Sequence, residues 1–226
     1  MLTIEEAVNQ RHSIRSYTLD PIAKEVADDL KALIDECNRE SGLNMQLVLD
    51  EPKAFGSRLF HYGMFSNVRN YLVLAGPKGE EDLDMMLGYY GAKVMIRAKQ
   101  LGIDSCWVGM TYRKVTNAFS LRPGDKVESV IALGHGNGKP VNHRVKGLSD
   151  VADLKQDTPR WFVEGVEWAL KAPTAINQQK FHFALAGDKV EQSTGRGPFA
   201  KMDLGIVRYF FELGAGRPVD WAKKLR

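Results

Sequence analysis

The sequence lacks the features of secreted, membrane-spanning or metal-stabilised proteins. Its two cysteines, Cys37 and Cys106, lie far apart and outside any CxxC pattern, so we expect reduced thiols rather than a disulfide framework or a structural zinc site. No apolar run approaches the ~20 residues that a helix needs to cross a bilayer. The first residues, 1–6, include acids where a signal peptide would carry lysine before an apolar stretch. We therefore expect a cytoplasmic protein without a membrane partner.

Signals for several ligand classes are also missing. The formal net charge is only +3 and the Lys and Arg residues are scattered, so no nucleic-acid partner is expected. No GxGxxG follows a predicted strand, which leaves a Rossmann NAD domain unsupported. The Gly-rich stretch 134–139 lacks Walker spacing and is typical of a turn between a strand and a loop. The five histidines show no ligand spacing such as HExxH, and we predict no metal site.

Apolar periodicity predicts helices and strands that are mixed along the chain. The clearest helical pattern covers residues 81–101. Thr3 and Glu6 have the spacing of a capping box, which predicts a short helix over residues 3–9. Further helices are predicted after Pro21 and over 112–119, 160–171 and 203–213, and strands over 45–49, 70–75, 103–108, 127–133 and 180–186. With 44% hydrophobic residues in a chain of 226, this mixture indicates an α+β protein with a substantial core.

Similar segments in the two halves of the chain suggest an internal repeat. The pattern N-x-Q follows a predicted helix and leads into a strand at 44–46 and again at 177–179. Each half then contains a helix that we predict to end in Leu-Gly, at 101–102 and at 213–214. Because the identities are few, chance agreement is the alternative to a repeat whose second copy is shortened.

A basic segment near the N-terminus, Arg11-His12-Ser13-Ile14-Arg15, carries the most distinctive chemistry. Side chains alternate along an extended chain, so Arg11, Ser13 and Arg15 would project to the same side. Such a trio can bind a phosphate through charge-assisted hydrogen bonds, since arginine matches phosphate oxygens bidentately. The alternative is a solvated polar linker between two helices.

Four segments resemble motifs of the FMN-dependent nitroreductases. Residues 11–15 resemble the R-x-S-x-[RK] opening of that family, and residues 172–181 resemble its A-P-S-x-x-N-x-Q-P-W segment. Residues 105–109 resemble its strand end near the flavin ring, and 132–134 resemble a second strand end. The resemblance spans most of residues 1–215. It implies a nitroreductase-like fold, in which helices flank a mixed, mostly antiparallel sheet.

The resemblance implies FMN as the cofactor and roles for individual residues. The residues that it assigns to the phosphate and ribityl are Arg11, His12, Ser13, Arg15 and Arg144. Pro173, Thr174 and Asn177 are assigned to one wall of the flavin ring. Val108 and Gly109 are assigned to the reactive ring edge, where a backbone N–H would lie near N5. Pro, Thr and Asn are also common turn residues, so a plain helix-to-strand turn is the alternative for 173–177. Lys180 stands where the family usually has Pro, and Val108 where several members have Glu. These departures agree with cofactor binding but weaken the inference of the family's usual substrate range.

The order of the motifs resembles a subgroup in which two nitroreductase-like halves are fused. Typical members are homodimers in which the A-P-S-x-x-N segment lies early in the chain and reaches the flavin of the partner subunit. In this chain the segment that matches A-P-S-x-x-N lies late, at 172–177. The resemblance therefore implies a half at 1–148 that carries the phosphate site and a shortened half at 149–226 that completes the pocket. One chain would then form one flavin site, as a pseudo-dimeric monomer rather than an obligate homodimer.

The implied activity is that of an FMN-dependent NAD(P)H oxidoreductase, which passes hydride equivalents from nicotinamide through FMN to nitroaromatic or quinone-type acceptors. We name no catalytic side chain, because solvent can supply protons to an open site. Two alternatives stay open: a non-enzymatic protein that stores or senses flavin on the same fold, and a protein without cofactor in which residues 11–15 bind another anion.

Overall fold

The computed structural model describes residues 1–55, 65–115, 117–139, 141 and 143–223. The elements in these residues are α1 (Ile4–Gln10), α2 (Lys24–Ser41), β1 (Gln46–Val48), β2 (Asn70–Pro77), α3 (Leu83–Gln100), β3 (Asp104–Val108), β4 (Asp125–Gly134), α4 (Arg160–Ala169), β5 (Phe181–Ala186), β6 (Lys189–Thr194) and α5 (Ala200–Ala215). The chain divides into two compact units. Unit 1 comprises Met1–Leu83 and Lys93–Val141, and unit 2 comprises Asp84–Ala92 and Asn142–Arg226.

Unit 1 is built on a sheet of four strands in the order β1-β2-β4-β3, and every pairing between these strands is antiparallel. The first seven residues of β2 are all buried, which explains why this strand is a continuous apolar run in the sequence rather than an alternating one. Around it, a cluster of buried residues that includes Tyr17, Tyr71 and Val108 forms the core.

The first two helices follow directly from their sequence signals. Thr3 caps α1 in a complete capping box with Glu6. In α2 the buried positions Leu30, Ile34 and Cys37 recur at helical spacing. This helix ends at Gly42, whose left-handed conformation favours glycine and whose N–H donates to the carbonyl of Asn38.

Unit 2 contains the β5–β6 hairpin, helices α4 and α5, and the first half of α3. Aromatic side chains fill its core: Phe211 of α5 contacts Phe183 of β5 at 4.8 Å between ring centroids and Phe162 of α4 at 5.5 Å. Two further segments extend the hairpin at its edges. Phe183 exchanges backbone hydrogen bonds with residues 151–153, and Val190 exchanges them with residues 220–222.

Within unit 2, α3 and α5 cross at two glycines whose contacts are reciprocal. A Cβ at Gly88 would lie 2.1 Å from the carbonyl oxygen of Met202, and a Cβ at Gly205 would lie 1.9 Å from that of Met85. In each case the clashing carbonyl belongs to the residue three positions before the opposite glycine. The two backbones therefore meet through equivalent surfaces, as in a two-fold interface.

The α+β prediction is confirmed, and three of the predicted details need correction. The predicted helix over 112–119 is wrong: the described residues there form bends and turns, and Thr116 lies outside the description. Val115, Ala118 and Phe119 pack against the unit 1 core from this irregular segment. Their spacing in the sequence therefore resembles the apolar face of an amphipathic helix. The Arg113 N–H donates to the carbonyl of Ala54 instead of a helical partner.

The second Leu-Gly pair does not end a helix. Helix α5 continues through Gly214 to Ala215 and ends at the left-handed Gly216, whereas Gly102 follows the end of α3. Close packing against α4 explains the glycine at position 214, because a Cβ there would lie 2.6 Å from the carbonyl oxygen of Glu164. Strand β6 was not predicted. None of the described helices is both long and apolar enough to span a bilayer.

The helix crossing gives a test of the packing. We expect Gly205→Ala to lower the free energy of unfolding by at least about 2 kcal/mol, because backbone atoms cannot move away from the added methyl group as a side chain could. Urea unfolding followed by circular dichroism measures the loss. Gly79→Ala is the matched control, since nothing lies within 4 Å of a Cβ at that position. Equal stability of the two variants would contradict the close crossing.

Candidate functional site

The basic segment lies extended along the edge of the unit 1 sheet. Ser13 pairs with Ser105 of β3 in a parallel bridge, and the Ile14 N–H donates to the Ser105 carbonyl at 3.0 Å. The Ser66 N–H donates to the carbonyl of Arg15 at 2.9 Å, which holds the end of the segment. The side chain of Ile14 is buried in the core, and alternation turns its neighbours the other way.

Arg11, Ser13 and Arg15 all influence one buried thiol, that of Cys106. Burial raises the pKa of Cys106, while the nearby Arg15 and Arg11 guanidiniums and a hydrogen bond with Ser13 lower it. The structure thus brings these three predicted side chains together on one side of the segment.

Arg11 has an unmet hydrogen-bonding requirement. Its Nε is buried and finds no acceptor among the described residues. Burial lowers the pKa of its guanidinium to about 10, so the group is charged at neutral pH. A buried charged donor without a partner is costly, and an anionic ligand would satisfy both its charge and its hydrogen bond. The site therefore fits a phosphate group.

Three other predicted residues of unit 1 lie nearby in the chain. His12 is half-buried between the two arginine positions. Val108 is the last residue of β3, and Gly109 follows it directly. Because the Val108 side chain belongs to the buried core, only its backbone could contact a ligand.

The predicted residues of unit 2 form a turn with unusual backbone conformations. Ile176, Asn177 and Gln179 have φ values of +46°, +55° and +45°. The left-handed region is uncommon for any residue except glycine, and it is least favourable for a β-branched one. The hydroxyl of Thr174 accepts a hydrogen bond from the Gln179 N–H, which closes the turn at 3.1 Å.

The two amides of the second N-x-Q pattern hold this turn against a neighbouring segment. The Asn177 and Gln179 side-chain NH2 groups both donate to the carbonyl of Arg144, at 2.8 and 2.9 Å. The side-chain carbonyl of Gln179 accepts from the Lys146 N–H at 2.9 Å. Arg144 therefore meets the turn through its backbone, while its side chain is exposed.

The first N-x-Q pattern makes a similar arrangement in unit 1. The Asn44 and Gln46 side-chain NH2 groups both donate to the carbonyl of Ser120, at 3.2 and 2.6 Å. The Gln46 side-chain carbonyl accepts from the Ser120 N–H at 3.0 Å. In both copies, two amides converge on one carbonyl and the glutamine also accepts a backbone N–H.

Asp203 in the first turn of α5 was not singled out from the sequence. Its buried carboxylate accepts from the Ala175 N–H at 2.9 and 3.1 Å and from the Gln178 side-chain NH2 at 2.7 Å. Burial raises the pKa of Asp203 to about 6, against the lowering effect of these hydrogen bonds. An acid in the first turn of a helix is common because it complements the dipole, so the sequence offers no separate signal.

Two cavities lie away from the predicted site residues. One, of about 320 Å³ in unit 1, is lined by residues that include Tyr17, Asp50 and Arg69. The other, of about 820 Å³ in unit 2, is lined by aromatic and charged residues around Glu212. Glu212 accepts hydrogen bonds from the Tyr89 hydroxyl and the Trp221 indole, at 2.6 and 2.7 Å, so this network is internally satisfied.

The elevated pKa of Asp203 predicts a pH dependence of stability. Its folded pKa lies above the ordinary value of 3.8, so the folded protein binds this proton more tightly than the unfolded chain. The stabilisation that this proton gives to the folded protein is fully present below pH 3.8 and is lost as the pH rises through about 6. The free energy of unfolding falls by up to about 3 kcal/mol over this range. We expect Asp203→Asn to remove this component, as measured by urea unfolding at pH 5 and 7.5. The exposed Asp188→Asn serves as control, and an unaltered pH profile in Asp203→Asn would contradict the assignment.

Comparisons with known structures agree with this fold. A putative nitroreductase of Thermotoga maritima superimposes with a TM-score of 0.70 at 18% identity, over 94% of this chain and 83% of that one. A putative nitroreductase of Desulfovibrio desulfuricans, solved in complex with FMN, gives a TM-score of 0.53 at 19% identity, over 70% of this chain and 99% of that one. A putative NADH dehydrogenase/NAD(P)H nitroreductase of Bacteroides thetaiotaomicron gives 0.52 at 17% identity, over 67% and 96%.

A comparison with curated protein sequences finds no match. The family model described as Putative TM nitroreductase matches residues 3–215, nearly the whole chain. These residues include the basic segment of unit 1 and the left-handed turn of unit 2. The chain therefore belongs to the Putative TM nitroreductase family.

Proposed function

We propose that this protein binds FMN and that Arg11, Ser13 and Arg15 hold its phosphate. The observation that carries the proposal is the buried Arg11 Nε, which has no acceptor among the described residues. The grouping of all three side chains around Cys106 supports it, because a phosphate needs several donors that converge on one point. A solvated linker would leave the Arg11 Nε in water.

The remaining contacts are proposed from the resemblance. His12 and Arg144 would add to the phosphate and ribityl site, with Arg144 using its exposed guanidinium. The backbone N–H groups at Val108 and Gly109 would face the ring edge. Pro173, Thr174 and Asn177 would form the opposite wall. Since the amide NH2 of Asn177 already donates to the Arg144 carbonyl, its side-chain oxygen is the group left for the cofactor.

The reaction that we propose is reduction of nitroaromatic or quinone-type acceptors at the expense of NAD(P)H. Bound FMN supplies the hydride-accepting and hydride-donating ring. The residues of this chain bind and orient it, and the cations around its phosphate favour the anionic ligand. Family membership supports this activity, and the Bacteroides protein is itself named an NADH dehydrogenase/NAD(P)H nitroreductase. No side chain is assigned as an acid or a base.

We further propose that the chain contains two nitroreductase-like halves, residues 1–148 and 149–226, and forms one flavin site. The repeated N-x-Q geometry at 44–46 and 177–179 supports a repeat. So does the reciprocal crossing of Gly88 and Gly205. The superposition matches 70% of this chain to 99% of one Desulfovibrio chain. The remaining 30% of this chain therefore has no counterpart in a single Desulfovibrio chain.

Arg15→Ala tests the phosphate site. We expect FMN binding to weaken by about 1.5–3 kcal/mol, which is typical of a charge-assisted hydrogen bond, while the fold is retained because Arg15 is exposed. Fluorescence quenching of FMN measures the affinity. Arg39→Ala, an exposed arginine at the end of α2, should bind as the wild type does. If Arg15→Ala binds FMN as tightly as wild type, the phosphate lies elsewhere.

Anaerobic reduction separates an enzyme from a flavin store. Purified protein loaded with FMN should contain one flavin per chain, and NADPH or NADH should bleach its visible absorbance. Subsequent addition of a nitroaromatic or quinone should restore the absorbance. Flavin that binds but is not bleached would indicate storage or sensing, and two flavins per chain would contradict the single site.

A further inference from the structure

We propose that the cavity of unit 2 around Glu212 is a binding site for a small organic cation, and that the side chain of Arg217 covers one of its aromatic faces in this structure. None of the residues that line this cavity is assigned to FMN. Along α5, Glu212 lies about 14 Å from Asp203, the residue that holds the left-handed turn, since each helical residue adds about 1.5 Å.

Aromatic rings form much of the wall of this cavity, whose volume is about 820 Å³. Tyr90 and Trp161 are half-buried, so both rings keep surface that a ligand can reach. Tyr89 packs edge-on against Tyr90 at 5.2 Å between ring centroids, which fixes these two rings relative to each other. A cavity of this size suits a small molecule rather than a macromolecule.

The inner charged pair of the cavity, Arg208 and Glu212, is already neutralised. The two residues are one turn apart on α5, with 3.5 Å between Nε and Oε1. Glu212 also accepts hydrogen bonds from the Tyr89 hydroxyl and the Trp221 indole, and Arg208 donates to the carbonyl of Lys223. This pair therefore adds no net charge, and the exposed lining residues decide which ligand charge is favoured.

Those exposed charged residues favour a positive ligand. They are Asp188, Arg217 and Asp220, so two carboxylates accompany one guanidinium. The excess of negative charge attracts a cation. The faces of aromatic rings also attract cations, because the ring quadrupole is negative there, and this is how quaternary ammonium ligands are commonly recognised.

Two arginines of this chain already place cations on the rings of the cavity. The guanidinium carbon of Arg208 lies 4.3 Å from the centroid of the Trp221 ring, and that of Arg217 lies 4.9 Å from the centroid of the Trp161 ring. Arg208 is buried and ion-paired, so it is part of the fold. Arg217 is exposed and lies beyond the end of α5. A ligand cation can therefore replace Arg217 on Trp161 without disturbing the helix.

Choline and its neutral isostere 3,3-dimethylbutan-1-ol test the site, because the two compounds share a shape and differ in charge. Calorimetric titration of the full-length protein should show choline bound at least about fivefold more tightly than the alcohol, with the difference reduced at high salt. Equal affinity for the two compounds, or no saturable binding of choline, would overturn the inference.

Substitution of Arg217 tests the direction of the effect. Arg217→Ala removes a competing cation from the Trp161 face, so we expect the choline affinity to rise by about threefold or more. Asp220→Asn removes an exposed carboxylate and should lower the affinity by about the same factor. A lower choline affinity in Arg217→Ala, or an unchanged one in Asp220→Asn, would contradict a cation site.

Lys171→Ala is the matched control for these substitutions. The Lys171 ammonium lies 5.1 Å from the centroid of the Trp168 ring, and neither residue lines the cavity. The variant therefore also removes an exposed cation from a tryptophan face, but it should bind choline as the wild type does. A gain in affinity equal to that of Arg217→Ala would show a general effect of net charge and would overturn the inference.

Discussion

The pairing of Ser13 with Ser105 is the constraint on which the proposed cofactor site depends. It fixes an extended backbone beside β3, and the burial of Ile14 on one side turns Arg11 and Arg15 to the other. Both guanidiniums then lower the pKa of the buried Cys106 thiol, and the Nε of Arg11 is itself buried. The resulting deficit at the Arg11 Nε is a local cost that the folded protein carries, and an anionic ligand would remove it.

Unit 2 also contains groups that are locally unfavourable and that fix the conformation of the turn. Burial of the Asp203 carboxylate costs hydration energy, which is why its pKa is raised. The same carboxylate accepts hydrogen bonds from the Ala175 N–H and the Gln178 side chain and so holds both in place. The backbone at Ile176 stays left-handed although its side chain opposes that conformation. Strained or desolvated groups of this kind persist where the neighbouring contacts over-determine them, and they are concentrated at ligand sites.

Patterns that arise from one element alone could be predicted from the sequence. The periodicity of α2 and α3, the capping box at Thr3 and the apolar run of β2 all have local causes. The segment 112–119 has a helical pattern of apolar residues, but these residues pack against the core from an irregular loop. Strand β6 is polar on most positions and is defined by its partner β5, which a local pattern does not reveal.

The same distinction applies to the site. Alternation along 11–15 was enough to group Arg11, Ser13 and Arg15, because it needs only an extended backbone. The left-handed turn and the role of Asp203 depend on contacts between residues far apart in the chain. Sequence motifs alone name Thr174 and Asn177, whereas the hydrogen bonds by which the Thr174 hydroxyl and the Asn177 amide hold the turn are visible only in the structure.

A comparison of FMN with riboflavin, which differs only in the missing phosphate, tests the phosphate site most directly. Fluorescence titration at low and high salt should show FMN bound at least about tenfold more tightly, with the difference reduced at high salt and in Arg11→Met. Riboflavin bound as tightly as FMN, at either salt concentration, would show that the buried guanidinium does not hold the phosphate.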